Sequence, residues 1–346
     1  MITTPTVLVL GAGASISYGF PSGLQLKAKI CREISNRQGS IIFNDLKQFK
    51  DENHVQDFYK NLLMSSEMSI DAFLEHNKKY SEIGRRSIAN ILLRKEMHAE
   101  LYENWINKWL DPTNKDKHWY QLLFSKLNAP LDKFEHNKLK IITFNYDRSL
   151  EYFLLESMKA KYSEQENDII RKKLNAIPIL HIYGQLGKLP EYDSEGPYVP
   201  YDLFRNSKID ENTQLKYLSE ASNQIVTIHE SSENIGVNKN IITARNFLLQ
   251  AARIYFLGFG YDETNMNRLF LEGGANLLKE NNTGGKCFGT ALDLSPHHRQ
   301  FLATFGLKNM ERDIADSRWD SIRRPLFFPN NTIYDFLHYN PYSKLD

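Results

Sequence analysis

Short unbroken runs of apolar, β-branched residues alternate along this chain with stretches whose apolar residues recur every three or four positions. Thr6-Val-Leu-Val-Leu10 is the first such run. A continuous apolar segment of this kind predicts a strand buried on both faces of a parallel sheet. It breaks at Gly11-Ala-Gly-Ala-Ser15, and after Pro21-Ser22-Gly23 the spacing of Leu26, Ile30 and Ile34 predicts a helix. Leu139 to Phe144 and Ile177 to Tyr183 read as two further strands, with Pro178 near the start of the second, where a missing donor is tolerated. The helix between them carries Leu150, Phe153, Leu154 and Met158 on one face. Ala244, Phe247, Leu248 and Ala251 mark a helix leading into the strand Ile254 to Leu257. A last strand runs from Cys287 to Leu292 and ends at Asp293, and Pro296 opens a further helix. Strands alternating with helices predict an α/β, Rossmann-like parallel sheet with helices on both faces.

Between residues 43 and 136 the texture changes. Strand-like alternation is scarce, Leu101, Trp105 and Trp109 recur at helical spacing, and Trp105, Trp109 and Trp119 are three of the chain's four tryptophans. This predicts a helical insertion that packs on the nucleotide-type fold, its tryptophans serving as helix core. The expected division is residues 1–42 and 137–310 for the nucleotide-binding domain, 43–136 for the insertion, and 311–346 for a C-terminal extension packed on the domain. The stretch from Lys188 to Pro200, rich in Gly, Pro and Glu, reads as a loop.

Composition narrows the picture. Apolar residues make up 41% of the 346 and charged residues 25%, near the soluble average. Lys plus Arg is 43 against 42 for Asp plus Glu, so the basic excess that duplex binding draws on is missing and nucleic acid is not expected directly. Cys31 and Cys287 cannot build a disulfide framework or a four-thiolate zinc site. His229-Glu230 and His297-His298 do not make a convincing metal set, and no metal is expected. No apolar run approaches the ~20 residues that cross a bilayer. The start lacks the basic region of a signal peptide. The chain is therefore expected to be soluble, reduced and cytoplasmic, without a membrane partner.

Ligands of such sheets bind at the carboxyl ends of the strands, beside the point where strand order reverses. Four clusters fall there: Gly11 to Ser15, Thr143-Phe-Asn-Tyr-Asp147, His181-Ile-Tyr-Gly-Gln185 and Gly258-Phe-Gly-Tyr-Asp262. All place small or polar residues where a phosphate or ribose would sit. At the first, glycines let backbone approach a pyrophosphate and a following helix N-terminus would offer N–H groups. On this reading Gly13 tolerates no side chain, because a Cβ would occupy the pyrophosphate approach. The dehydrogenase fingerprint, however, needs a third glycine where this chain has Ile16, and no strand with an acidic ribose ligand follows about 20 residues on. Standard hydride transfer is disfavoured.

Taken in order, Gly11-Ala-Gly-Ala-Ser15, Gly19-Phe-Pro21, Thr143 to Asp147, His181 shortly before Gly184, and Gly258-Phe-Gly260 resemble the sirtuin superfamily. More closely, the chain resembles the sirtuin-like (silent information regulator two-like) NAD-hydrolysing effectors of bacterial antiphage defence. Their pattern includes Ile-Asp-x-Phe-Leu, as in Ile70 to Leu74, and Leu-Gly-Phe-Gly-Tyr-Asp, as in Leu257 to Asp262. The resemblance implies an NAD+ glycohydrolase that releases nicotinamide and ADP-ribose, depleting NAD when triggered in abortive infection. It makes Asn145 and His181 the catalytic residues. Gly11, Ala12, Gly13, Ala14, Ser15, Pro21, Asp147, Gly184, Gly258 and Gly260 become the NAD contacts. It also implies a homo-oligomer, a complex with an operon-encoded sensor (an ATPase or nucleotide-processing protein), or both, that keeps the activity idle until triggered.

The chain departs from the deacylase sirtuins in two places. Ser22-Gly23-Leu24 follows Pro21 where those enzymes usually carry Asp-Phe-Arg, and nothing here builds their four-cysteine zinc ribbon. Water is accordingly the expected acceptor. A protein deacylase or ADP-ribosyltransferase is the second reading, and a non-catalytic nucleotide-sensing subunit the third. The chemistry suits hydrolysis: nicotinamide leaves as a neutral molecule, a histidine with a pKa near 6.5 can accept a proton, and an amide can fix ribose hydroxyls or water. Structural readings stand beside these roles. His181 can be a satisfied strand-end histidine, Asn145 or Asp147 can cap the following helix, and Asp71 can face either the pocket or solvent.

Overall fold

The computed structural model describes residues 1–37, 39–111, 118–193, 195–226, 235–270, 287–290, 308–309, 326–328, 332–339 and 345. One sheet contains β1 (Thr6–Leu10), β2 (Leu139–Thr143), β3 (Ile179–His181), β4 (Arg253–Leu257), β5 (Cys287–Thr290), β6 (Lys308–Asn309) and β7 (Leu326–Phe328). Their order is β3-β2-β1-β4-β5-β7-β6, with every neighbouring pair parallel. This is a Rossmann-like α/β fold. β1 is buried along its whole length, as its unbroken apolar run requires. The chain builds outward from β1 through β2 to β3, then returns to add β4 on the other side, so strand order reverses at β1.

The helix expected after Pro21-Ser22-Gly23 forms there. Two 3₁₀ turns, Ala12–Ala14 and Ile16–Tyr18, come first, and Gly19 adopts a φ of 87°. Only then does α1 (Gly23–Ser35) begin, with Ser22 and Gln25 satisfying each other's backbone N–H groups in a capping box. Leu26, Ile30 and Ile34 are buried, as their spacing predicts.

The described residues between 41 and 136 carry α2 (Ile41–Phe49), α3 (Glu52–Met64), α4 (Ile70–His76), α5 (Ser81–Leu93), α6 (His98–Leu101), α7 (Glu103–Leu110), α8 (Trp119–Lys126) and two 3₁₀ segments, Lys78–Tyr80 and Leu131–His136. Trp105 and Trp119 lie in the core, and the Trp119 indole N–H donates to the Ala14 carbonyl at 2.8 Å. Tyr18 stacks on Tyr120 at 3.8 Å between ring centroids, so the first cluster is locked to the insertion by aromatic packing. The Trp109 side chain, His229-Glu230, His297-His298, Asp293 and Pro296 lie outside the described residues.

Three further helices, α9 (Ser149–Lys161), α10 (Asn167–Leu174) and α11 (Glu211–Gln224), connect β2 to β3 and follow β3. α9 buries Leu150, Phe153, Leu154 and Met158. β3 is shorter than its apolar run because Gly184, with φ 79°, turns the chain away after Tyr183. Beyond residue 310, β7 extends the sheet beside β5, and the helix Ile333–Tyr339 sets Phe336 against Tyr255. Among the described residues, no helix is long and apolar enough to cross a membrane.

The glycine turn packs against the loop that follows β4. The Gly13 N–H donates to the Gly258 carbonyl at 2.9 Å, and a Cβ on Gly13 would lie 2.7 Å from Gly258 Cα. Backbone of the β4 loop therefore lies directly against the glycine turn, in the space a Gly13 side chain would need. Gly13→Ala is expected to cost about 1–3 kcal/mol of stability through this overpacking. Gly260→Ala, where a Cβ would meet nothing within 4 Å, should be nearly neutral. Urea denaturation of both variants checks the pair.

Candidate active site

An opening lies beside the carboxyl ends of β1 and β2. A cavity of about 90 Å³ there is lined by Ala12, Ser15, Pro21, Asn145, Asp147 and Asp71, with Phe20 and Phe144 among its apolar walls. Five loops and helices build it: the 3₁₀ turn after β1, the start of α1, the loop after β2, and α4 and α5 from the insertion. The carboxyl end of β2 aims its residues here because Thr143 ends the ladder and its hydroxyl accepts from the Asn145 N–H at 3.1 Å.

Asn145 does not cap a helix. Its Nδ2 donates to the Gly11 carbonyl at 3.0 Å and to Ser15 Oγ at 3.1 Å. Among the described residues nothing donates to its Oδ1, which leaves that oxygen able to accept from a hydroxyl or a water. Ser15 Oγ donates in turn to Asp147 Oδ2 at 2.9 Å. Asp147 Oδ1 accepts from the Ser149 hydroxyl and, at 3.2 Å, from the Ser149 N–H, so this carboxylate also caps the start of α9. Tyr120 OH, 2.7 Å from Ser149 Oγ, completes the chain by donating to it. Burial raises the Asp147 pKa, opposed by the Ser149 and Ser15 hydrogen bonds.

Asp71 faces the cavity rather than solvent. Tyr146 OH donates to its Oδ1 at 2.7 Å, and burial raises its pKa despite that bond. Two carboxyl groups and one open amide oxygen thus share a small, largely apolar cavity.

His181 sits behind this wall, outside the cavity lining. Its Nδ1 pairs with the Asn145 carbonyl at 2.8 Å and its Nε2 with Glu151 Oε1 at 2.5 Å. A carbonyl and a carboxylate at its two nitrogens both favour the imidazolium, in which each nitrogen donates. Burial pulls its pKa down, but the Glu151 carboxylate and the Asn145 carbonyl outweigh this and the net shift is upward from 6.5. Because the folded value is raised, its stabilisation is complete below about 6.5 and is lost as pH rises through the folded value. Proton NMR is expected to show the ring titrating above 6.5 in the wild type. In Glu151→Gln it should titrate lower, since burial then meets less opposition. An unchanged midpoint would detach Glu151 from His181.

The remaining sequence candidates divide. Gly11 and Gly258 pack against one another's backbones, and Ala14 is core. Gly184 faces the end of α11, where a Cβ would run into the Gln224 carbonyl oxygen. Gly260 is exposed. Glu151, Ser149 and Tyr120 join the network without having been singled out by sequence, and Tyr146 is legible only as part of the Thr143–Asp147 cluster. Of the first three, only Glu151 left a trace in the sequence, as a charged residue inside the apolar face of α9.

Among the described residues, no group of three or more His, Cys, Asp or Glu side chains is placed to hold a metal ion. No family model matches the chain, and no curated protein matches it.

Proposed function

We propose that the cavity above β2 binds the nicotinamide-ribose end of NAD+ and hydrolyses its N-glycosidic bond. The observation that supports this most is the joint placement of Asp71, Asp147 and the open Asn145 Oδ1 around one small cavity. At about 90 Å³ it lies below the ~300–1,000 Å³ of whole-ligand pockets, so it suits one ring-sized end of a dinucleotide. The resemblance of the strand-end clusters to sirtuin-like NAD hydrolases points the same way.

The chemistry follows from charge. Nicotinamide in NAD+ is a cationic pyridinium. Cleavage breaks the C1′–N bond, sends its electron pair to the ring nitrogen, and leaves an oxocarbenium-like ribose. Carboxylates in a cavity of low polarity stabilise positive charge that develops at the sugar. Asn145 Oδ1 orients a ribose hydroxyl or the attacking water. As the water oxygen bonds to C1′, its proton passes to a carboxylate. Asp71 suits this role, since burial makes it a stronger base than an exposed aspartate. His181, with both nitrogens engaged, acts through the Asn145 backbone and is a positioning residue.

Following NAD+, nicotinamide and ADP-ribose over time with the purified protein, with and without acetylated peptide, tests the reading. Equal release of nicotinamide and ADP-ribose, indifferent to peptide, is expected. Nicotinamide release coupled one-to-one to deacetylation would move the protein to the deacylases, and no cleavage by any assembled form would end the hydrolase reading. Assembly with itself or with an operon-encoded sensor fits an activity that a host keeps idle in an antiphage role. Sizing each species by light scattering and assaying it decides that point.

A further inference from the structure

On the outer side of Phe20, away from Asn145, a second hollow of about 490 Å³ is lined by Ile16, Gly19, Phe20, Gln25, Ala28, Lys29 and Arg32. We propose that this hollow binds a small ligand carrying two or more phosphoryl groups. Its volume falls within the ~300–1,000 Å³ of small-molecule sites.

Two cations line the hollow, and a third lies near one of them. Lys29 and Arg32 stand one turn apart on α1, and Lys95 follows the end of α5 close enough to repel Lys29. Among the described residues, none of the three side chains makes an ion pair or a side-chain hydrogen bond. Other basic side chains are matched: Arg86 to Asp45, Lys50 to Glu82, Lys79 to Asp57. Glu100, whose carboxylate lies against Gly19 at the rim, makes no ion pair with them. Burial, then repulsion from Lys95 and Arg32, lowers the Lys29 pKa, so the protein alone leaves this positive charge uncompensated.

An oligophosphate supplies what is missing. A guanidinium offers paired donors to phosphate oxygens, and an ammonium adds a compact charge beside it. Ile16, 45% exposed, adds an apolar wall on which the rest of such a ligand can rest. Phe20 lines both this hollow and the cavity at Asn145, so occupancy here bears on the shape of the other site.

Isothermal titration of the full-length protein with sodium tripolyphosphate tests this without reference to NAD cleavage. Saturable one-to-one binding that weakens with added salt is expected. Lys29→Gln/Arg32→Gln should bind at least about tenfold more weakly, the loss of one or two charge-assisted hydrogen bonds. Its unliganded melting temperature should hold or rise as the repulsion is relieved. Should the double variant fail to fold, the exposed Arg32→Gln change carries the test by itself. No binding to the wild type, or equal binding to the folded variant, overturns the proposal.

Discussion

NAD+ cleavage is expected to fall ~10²–10⁴-fold in Asp71→Asn, which keeps the size of the side chain and removes its basicity. Asn145→Ala is expected to lose about 10²-fold, because the amide that ties the β1 turn to the β2 loop also orients the reacting groups. Both variants should fold, which circular dichroism and melting temperature will establish. His181→Ala, acting through the Asn145 carbonyl, should lower kcat as well, while Glu151→Gln should mainly shift the pH profile to lower values. Wild-type turnover in folded Asp71→Asn or Asn145→Ala would remove that residue from the reaction.

Arg148→Met is expected to be among the most destabilising single changes, costing ~3–5 kcal/mol. The Arg148 and Glu96 side chains are both fully buried, and the guanidinium binds Glu96 through Nε at 3.0 Å and again through Nη2. It also donates to the Gly187 carbonyl at 3.2 Å and to the Val199 carbonyl at 2.6 Å, which orders the Lys188–Pro200 loop. Removing the cation strands a carboxylate in the interior. Arg148→Met/Glu96→Gln should recover part of the loss, since no unpaired charge then remains. Equal urea midpoints for wild type and Arg148→Met would show that the pair does not hold the fold. This anchor bears on function because Arg148 follows Asp147 directly, and Glu96 comes from the insertion that also supplies Asp71.

Local pattern alone carried much of this architecture. The strand Thr6–Leu10 was legible residue for residue, because burial on both faces demands an unbroken apolar run. The apolar spacing in α1 and α9 gave their buried faces, because helical periodicity is a property of neighbouring residues. Asn145 and Asp147 were legible as candidates because they follow a predicted strand directly, where sheet geometry opens a site.

What remained hidden depends on residues distant in sequence. Nothing in Gly11-Ala-Gly-Ala-Ser15 shows that Gly258 backbone fills the space beside it, since that contact joins positions about 245 residues apart. The same holds for Asp71, whose turn toward the cavity comes from Tyr146 and the packing of α4. Glu151 gives no local sign of its partner, because a carboxylate on an apolar helix face identifies a buried charge but not the group that balances it. Sequence determined which elements form and which polar residues stand at strand ends. Tertiary structure decided which of those groups share one cavity and which backbones pack together, because close packing of backbones and pairing of buried charges are settled only when remote segments meet.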